Sequence, residues 1–553
     1  MKVNFKPLGL AAAVAAATAG YTGVTQAALS DNGLGDLAIV PYYTVQGDFI
    51  TGLHVINTSN ATQVVKLRFR RASDSMDALD FNLIMSPRDE WTGFISDASG
   101  NIIVESQDNT CTVPFATISN GQFPMNPLYR EGAEEGYIEV IGMGQAAPAY
   151  SIPPLTVSPA QTTALPGNPI NAAAKHGTDG IPANCAGAET NFFRVATAAP
   201  VVPAALPDGI GGVIGGDSAG SEKGVYDSNL TMQRIIANTL SISNTFVDTP
   251  NVLKVSYFIR DAASGLEFGS DAVHIADFSA DAMMTNQEQI AVGAAPDYFS
   301  FLFPDLDGGS PVGTLTGPAR GKYDSIIRQT TDLGGRSVIN DWSVAAERNV
   351  STDWVVTMPG QYLMLDLQKY TSPLITGVPI ACLSQAAIDA QPVASIPADI
   401  ACDQRDIPVV LASGAPGGVW DREEQTFTSP EGGLVISPDV GIGPGATTLP
   451  YEVNVIEWTN GENLPVLDSA YFKEFDVAAL GADFGWAELS VSSDPLKATD
   501  SLGYGHAVFD FTTGLFTPVT TPVPVVGFVA WERSFPEDPS ANYGRIVDHS
   551  YGS

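Results

Sequence analysis

The sequence predicts a mainly all-β protein, with two or more antiparallel β-sandwich units of immunoglobulin-like type, long irregular insertions and few short helices. Several segments alternate apolar and polar residues with a period of two, which is typical of half-buried strands. Polar turn signals separate these segments roughly every ten residues, as in sandwiches. The 54 glycines and 39 prolines among 553 residues favour turns and short strands over long helices.

The clearest strand is predicted over residues 62–71. Its two faces carry an apolar set and a basic set, which are Val65, Leu67 and Phe69, and Lys66, Arg68 and Arg70. We expect the apolar set to face a core and the basic set to face water, so that Phe69→Asp is severe and Arg68→Asp is mild. Residues 79–85 repeat the pattern, and residues 137–141 could close the same sandwich.

Strands are predicted to resume at residues 252–260, where alternate residues are apolar. Further strands are expected at 354–358, 362–367, 451–458, 486–491, 506–511 and 525–531. One amphipathic helix is predicted over 228–240, with Ser228 as its N-cap. The predicted organisation is a signal peptide (1–27), an N-terminal sandwich (28–144), an Ala/Pro/Gly-rich insertion or linker (145–221), a second β-rich domain (222–371), a loop-rich disulfide-stapled insertion (372–450), and C-terminal strands that complete the second domain (451–553).

The N-terminus has the pattern of a secretory signal peptide. Lys2 and Lys6 form a basic start, residues 8–17 are apolar, and small residues precede a cleavage site after Ala27. A membrane anchor is the alternative, but the apolar stretch is too short to span a bilayer well. Because no later segment resembles a transmembrane helix, we expect an exported protein of the outer surface, the extracellular space or the periplasm.

The charge balance excludes some partners. Lys and Arg number 26 and Asp and Glu number 61, which gives a net charge of −35. Such an acidic chain repels nucleic-acid phosphates and anionic lipid surfaces. The predicted partners are therefore cell-surface components or further copies of the same chain.

The four cysteines, Cys111, Cys185, Cys382 and Cys402, fit an oxidising compartment. They form no C-x-x-C pair, so a zinc site is not indicated. Three pairings are open, and we favour the two local ones, Cys111–Cys185 and Cys382–Cys402, over four free buried thiols. The other pairings would bring the first and last thirds of the chain together, which the sequence does not suggest.

Several blocks follow one another along the chain: DLAIVPYYTVQGDFITGLHVINTSNATQVVKLRFRRASDSMDALDFNLIMSPRDEW near the start, TDWVVTMPGQY in the middle, WDREEQ and LPYEVNVIEW later, and VVGFVAWERSF with ANYGRIVDHSYG at the end. In these blocks the chain resembles a group of exported proteobacterial surface or envelope proteins that have no known activity. The resemblance implies secretion and a strand-rich fold. It implies no catalytic or binding residue.

The sharpest catalytic pattern is G-x-S-x-G at residues 216–220, which makes Ser218 a weak candidate nucleophile. The glycine-rich run before it suits a flexible loop better than the buried strand of a hydrolase. The five histidines show no metal-ligand spacing. Asp305 and Asp307 lie on a glycine turn and form a candidate calcium site, with a solvated acidic loop as the alternative. The seven tryptophans are expected mainly in the core.

These observations favour a structural or interaction role, as a surface coat or matrix component, over catalysis. A glycan- or ligand-binding adhesin-like module is the first alternative, and a secreted serine hydrolase the second. No cofactor is predicted other than the candidate calcium.

Overall fold

A computed structural model describes most of the strand-rich parts of the chain. The described residues are 28–73, 75, 77–98, 100–113, 121–125, 130–147, 150–152, 163–165, 169–192, 246–279, 282, 333, 337–359, 418–424, 449, 451–461, 465–490, 507–510, 515–518 and 524–552. The predicted all-β class is confirmed: antiparallel strands dominate, and helices are short.

The N-terminal part contains sixteen strands and two short helices in its described residues. The strands are β1 (Ala28–Leu29), β2 (Leu37–Thr44), β3 (Phe49–Asn57), β4 (Gln63–Arg71), β5 (Asp77–Met85), β6 (Glu90–Asp97), β7 (Ile102–Glu105), β8 (Cys111–Val113), β9 (Gln122–Pro124), β10 (Glu135–Ala146), β11 (Tyr150–Ile152), β12 (Thr163–Leu165), β13 (Phe246–Val247), β14 (Leu253–Asp261), β15 (Glu267–Asp271) and β16 (Val273–Ala276). The helices are α1 (Pro169–Ala174) and α2 (Cys185–Phe192).

An eight-stranded and a six-stranded sheet pack face to face as the first sandwich. The larger follows the order β1-β16-β2-β10-β4-β5-β8, with β13 beside β10, and the smaller follows β15-β14-β3-β6-β7-β9. Phe81 on β5 joins the sheets, because its ring stacks on Phe123 at 4.0 Å between centroids and meets the edge of Trp91 at 5.9 Å. Strands β14 to β16 follow the predicted insertion in sequence, so strand pairing crosses the boundary drawn at 221/222.

The C-terminal part forms a nine-stranded sheet that curls around its own core. Its strands are β17 (Ser337–Ala345), β18 (Val350–Thr357), β19 (Val419–Asp421), β20 (Val453–Thr459), β21 (Phe472–Asp476), β22 (Phe484–Ser490), β25 (Val526–Arg533), β26 (Tyr543–Asp548) and β27 (Ser550–Gly552). A separate hairpin pairs β23 (Ala507–Asp510) with β24 (Leu515–Pro518). Single-turn 3₁₀ helices lie at Ala346–Arg348, Ala478–Leu480 and Pro539–Ala541.

The curled sheet packs directly on the first sandwich. The core of that sandwich continues into buried side chains of β18, β20 and β25, namely Val355, Val453, Val455, Val526, Phe528 and Ala530. The Thr357 hydroxyl donates to the Pro41 carbonyl at 2.6 Å, and the Val453 N–H donates to the Ala72 carbonyl at 3.0 Å. The expectation that the first and last thirds lie apart is therefore wrong. A strand that is buried on both faces has a continuous run of apolar residues in its sequence. Such a run does not indicate which other part of the chain covers each face.

The expectation that the basic face of β4 is exposed to water is also wrong, although the apolar and basic residues do alternate along the strand. All nine residues of β4 are buried, including Lys66 (0 % exposed), Arg68 (1 %) and Arg70 (1 %). The flanking strands supply acids: the Lys66 Nζ lies 3.5 Å from Asp80, and the Arg70 Nε donates to Glu139 at 2.9 Å. Alternation shows which residues share a face, but a polar face is buried where neighbouring strands complement its charge, as they do here.

The described part of the Ala/Pro/Gly-rich insertion packs against the sandwich. Helix residues Ile170, Ala173 and Ala188 are buried in a small apolar cluster with Val64 and Ile84 of the sheet. The predicted Cys111–Cys185 disulfide is confirmed, with Cα atoms 5.1 Å apart, and it ties α2 to β8. Closing a loop of 74 residues is worth about 4 kcal/mol in the chain-entropy picture.

Candidate functional site

Several residues singled out in the sequence lie outside the described residues. They are Ser218 of the G-x-S-x-G pattern, Asp305 and Asp307 of the candidate calcium turn, and the second cysteine pair, Cys382 and Cys402. The predicted signal peptide, the helix at 228–240 and the strand at 362–367 also lie outside them. These assignments stay predictions.

The described histidines have separate surroundings. His54 lies 3.5 Å from Glu90 at the surface, and His176 lies 3.9 Å from Asp89. The Nε2 of His274 accepts the Val255 N–H at 2.8 Å, while His549 is buried against Trp354. In the described ranges, no group of three or more His, Cys, Asp or Glu side chains is arranged to hold a metal ion.

Four tryptophans are core residues, as expected, and three are not. Trp91, Trp342, Trp354 and Trp458 are at most 1 % exposed. The other three lie on the curled sheet and reach solvent in part: Trp486 is 40 % exposed, and Trp420 and Trp531 are half-buried. Sequence context alone did not separate the two sets, because both occur in apolar strands.

The surface tryptophans belong to an aromatic–arginine rim at one end of the curled sheet, around the turn between β17 and β18. The rim comprises Arg348, Trp420, Arg422, Phe484, Trp486, Trp531, Arg533, Phe535, Tyr543 and Arg545. Each of its four guanidinium groups lies over an aromatic ring, which is a favourable cation–π arrangement.

One half of the rim is formed by β19 and β22. Trp420 and Trp486 face each other across these strands and stack with centroids 4.1 Å apart and planes 14° apart. Arg422 lies over the Phe484 ring at 4.2 Å, and Arg348 lies 5.4 Å from the same ring. This half therefore presents one stacked indole pair beside one arginine-flanked phenyl ring.

The other half is formed by β25 and β26. Arg545 lies over the Trp531 ring at 4.8 Å, and Trp531 meets Tyr543, which is 46 % exposed, at 5.6 Å. The two halves are connected through the turn, because the Ser534 N–H donates to the Asn349 carbonyl at 3.0 Å. The rim residues thus lie on or next to four strands, β19, β22, β25 and β26, and in the tight turn between β17 and β18.

Buried carboxyl groups lie at the junction between the first sandwich and the curled sheet. Glu135, at the start of β10, accepts hydrogen bonds from the Tyr42 hydroxyl at 2.6 Å and the Ser469 hydroxyl at 2.5 Å. Its second oxygen accepts the Ala470 N–H at 2.7 Å. Glu135 therefore connects the loop before β21 to the first sandwich through hydrogen bonds.

Asp353 on β18 occupies the same junction from the other side. One of its oxygens accepts the N–H groups of Val466 and Leu467, both at 2.8 Å. Strand register places Asp353 opposite Glu457, and Glu457 opposite Glu474. Three carboxyl groups thus lie side by side on neighbouring strands, where like charges repel.

Burial makes Asp353, Glu457 and Glu135 weaker acids than usual. Desolvation raises the pKa of Asp353 to about 7, although its two N–H donors oppose the change. Desolvation, helped by the charges of Asp353 and Glu474, raises the pKa of Glu457 to about 8. Burial also raises the pKa of Glu135. Asp353 and Glu457 therefore retain protons near neutral pH, a property common at both functional sites and structural networks.

No helix among the described segments is long and apolar enough to cross a membrane. Comparison of the chain with protein-family models, with curated proteins and with solved structures finds no match.

Proposed function

We propose that the protein is an exported interaction protein with a structural role at the cell envelope or outside the cell, as a component of a surface coat or matrix. In this role it acts by holding partners rather than by transforming them. The strong acidity, the signal-like N-terminus and the strand-rich architecture all support such a role. The predicted partners are cell-surface components or further copies of the chain.

The observation that carries this proposal is the aromatic–arginine rim. Exposed tyrosine and tryptophan rings combine a large contact area with few rotatable bonds, and together with arginine they dominate the energetics of protein interfaces. Here the exposed rings of Trp486 (40 %) and Tyr543 (46 %) lie near one end of the curled sheet, beside half-buried aromatic rings and arginine side chains. A concentration of this kind supports contact with a partner.

Fractionation of the native organism tests the proposal. We expect the protein in the envelope or extracellular fraction, and we expect Trp531→Ala combined with Tyr543→Ala to release it from the cell-associated fraction. Phe94→Ala is the matched control, because Phe94 is a comparably exposed ring (44 %) in the first sandwich. Cytoplasmic retention, or equal attachment of the rim variant and the control, would contradict the proposal. Ordered arrays in electron micrographs would identify the partner as a second copy.

A further inference from the structure

We infer that the Trp420–Trp486 pair, with Arg422 and Phe484 beside it, is a binding subsite for a neutral glycan. This inference rests on the proposed interaction role and gives it a ligand class. The two indoles stack on each other, so each covers one face of the other, and the outward part of the 40 % exposed Trp486 ring beside the half-buried Trp420 is what a ligand would contact. Sugar rings present C–H faces that pack on indole, and their hydroxyl groups need donors and acceptors nearby.

The subsite is preorganised by the core beneath it. Between Phe484 and Trp486 lies Gly485, where an added Cβ would approach the Trp420 carbonyl oxygen to 1.9 Å and the Trp342 ring to 2.5 Å. Only glycine lets β19 and the buried indole come this close. Trp342 in turn stacks on Trp458 at 5.7 Å, so the strand that carries Phe484 and Trp486 packs on core rings. Binding then costs little ordering entropy.

The charges around the rings favour a neutral ligand. The arginines that flank the subsite, Arg348 and Arg422, are each accompanied by acids next to them in sequence, and Arg348 pairs with Glu347 at 3.7 Å. Exposed Glu423 and Glu424 directly follow Arg422. An anionic ligand would meet at least as many carboxylates as guanidiniums. A neutral polyhydroxylated ligand can accept from the arginines and donate to the acids without net repulsion.

The test uses the full mature chain in native gels cast with hydroxyethyl cellulose, galactomannan or dextran, and with alginate as the acidic comparison. We expect at least one neutral polymer to retard the protein, with little effect of added NaCl, because screening weakens charge-driven binding but not stacking. Trp486→Ala should weaken this binding about tenfold, as hot-spot truncations do. Phe94→Ala, with a comparably exposed ring on the other β unit, should bind as the wild type does.

Trp486→Leu keeps an apolar side chain at this position and guards against loss of folding. It should melt like the wild type yet bind as weakly as the alanine variant. The inference is overturned if no neutral polymer retards the protein, if Phe94→Ala loses binding equally, or if alginate binds best and NaCl abolishes the binding. If the protein stays attached to cells through Trp531 and Tyr543 while no neutral polymer binds, the glycan inference fails and the interaction role stands.

Discussion

Asp353→Asn is expected to flatten the dependence of stability on pH. In the unfolded chain Asp353 ionises near its ordinary pKa of 3.8, whereas burial in the folded protein raises the pKa to about 7. The stability that protonation contributes is thus fully present below pH 3.8 and is lost as pH rises through about 7. Between about pH 5 and about pH 8.5, the loss corresponds to two pKa units, or about 3 kcal/mol.

Asparagine cannot ionise, yet its carbonyl oxygen can still accept the N–H groups of Val466 and Leu467. Between about pH 5 and about pH 8.5, the free energy of unfolding of the variant should therefore rise by about 3 kcal/mol relative to that of the wild type. Removing the Asp353 charge also lets Glu457 ionise more easily, which acts in the same direction. Any fixed cost of burying the amide shifts the whole curve and leaves its slope unchanged.

Urea unfolding followed by tryptophan fluorescence at several pH values measures this difference directly. Burial lowers the pKa of His549 to about 4, so the protein loses stability as pH falls below 6.5. This loss is the same in the wild type and in Asp353→Asn, and it therefore cancels in the difference between them. Asp341→Asn is the control, since Asp341 is exposed on β17. Parallel pH curves for wild type and Asp353→Asn would refute the reasoning, because the buried carboxyl would then not be titrating in this range.

Two further predictions rest on the structure and one on the sequence. Arg70→Met should lower the free energy of unfolding by about 3–5 kcal/mol, because Glu139 would lose a buried cationic partner; a melting shift no larger than that of a surface substitution would contradict this. Replacing Cys111 and Cys185 together by alanine should cost about 2–4 kcal/mol and lower the urea midpoint, and reductant should lower the midpoint of the wild type more than that of the variant, which keeps only the predicted Cys382–Cys402 pair. Mass spectrometry of the exported protein should find Ala28 at its N-terminus, and an intact leader would rule out the predicted cleavage.

The sequence by itself determined the fold class, because a period of two and frequent turn residues depend only on local geometry. It placed β4 and β14 to within a residue or two, and it assigned their apolar faces correctly. The Cys111–Cys185 bridge was also predictable, since both cysteines border a stretch with little apolar periodicity and lie closer in sequence to each other than to the second pair. These features are set by neighbours along the chain.

Only the tertiary structure decided what covers each face. The basic side of β4 is buried because Asp80 and Glu139 come from strands that pair with it, and alternation carries no information about such partners. The separation of core from surface tryptophans likewise depends on the curl of the C-terminal sheet. Trp342 and Trp486 occupy similar sequence surroundings, yet one faces inward and the other outward.

The buried carboxyl junction could not be anticipated for the same reason. Glu135, Asp353 and Glu457 are separated by up to 322 positions in the chain, as their residue numbers show. Each is an ordinary acid in its local sequence, and its raised pKa arises only when the two β units meet and exclude water. Desolvation is a property of the assembled packing, so the tertiary structure alone determines which acids of this very acidic chain retain a proton.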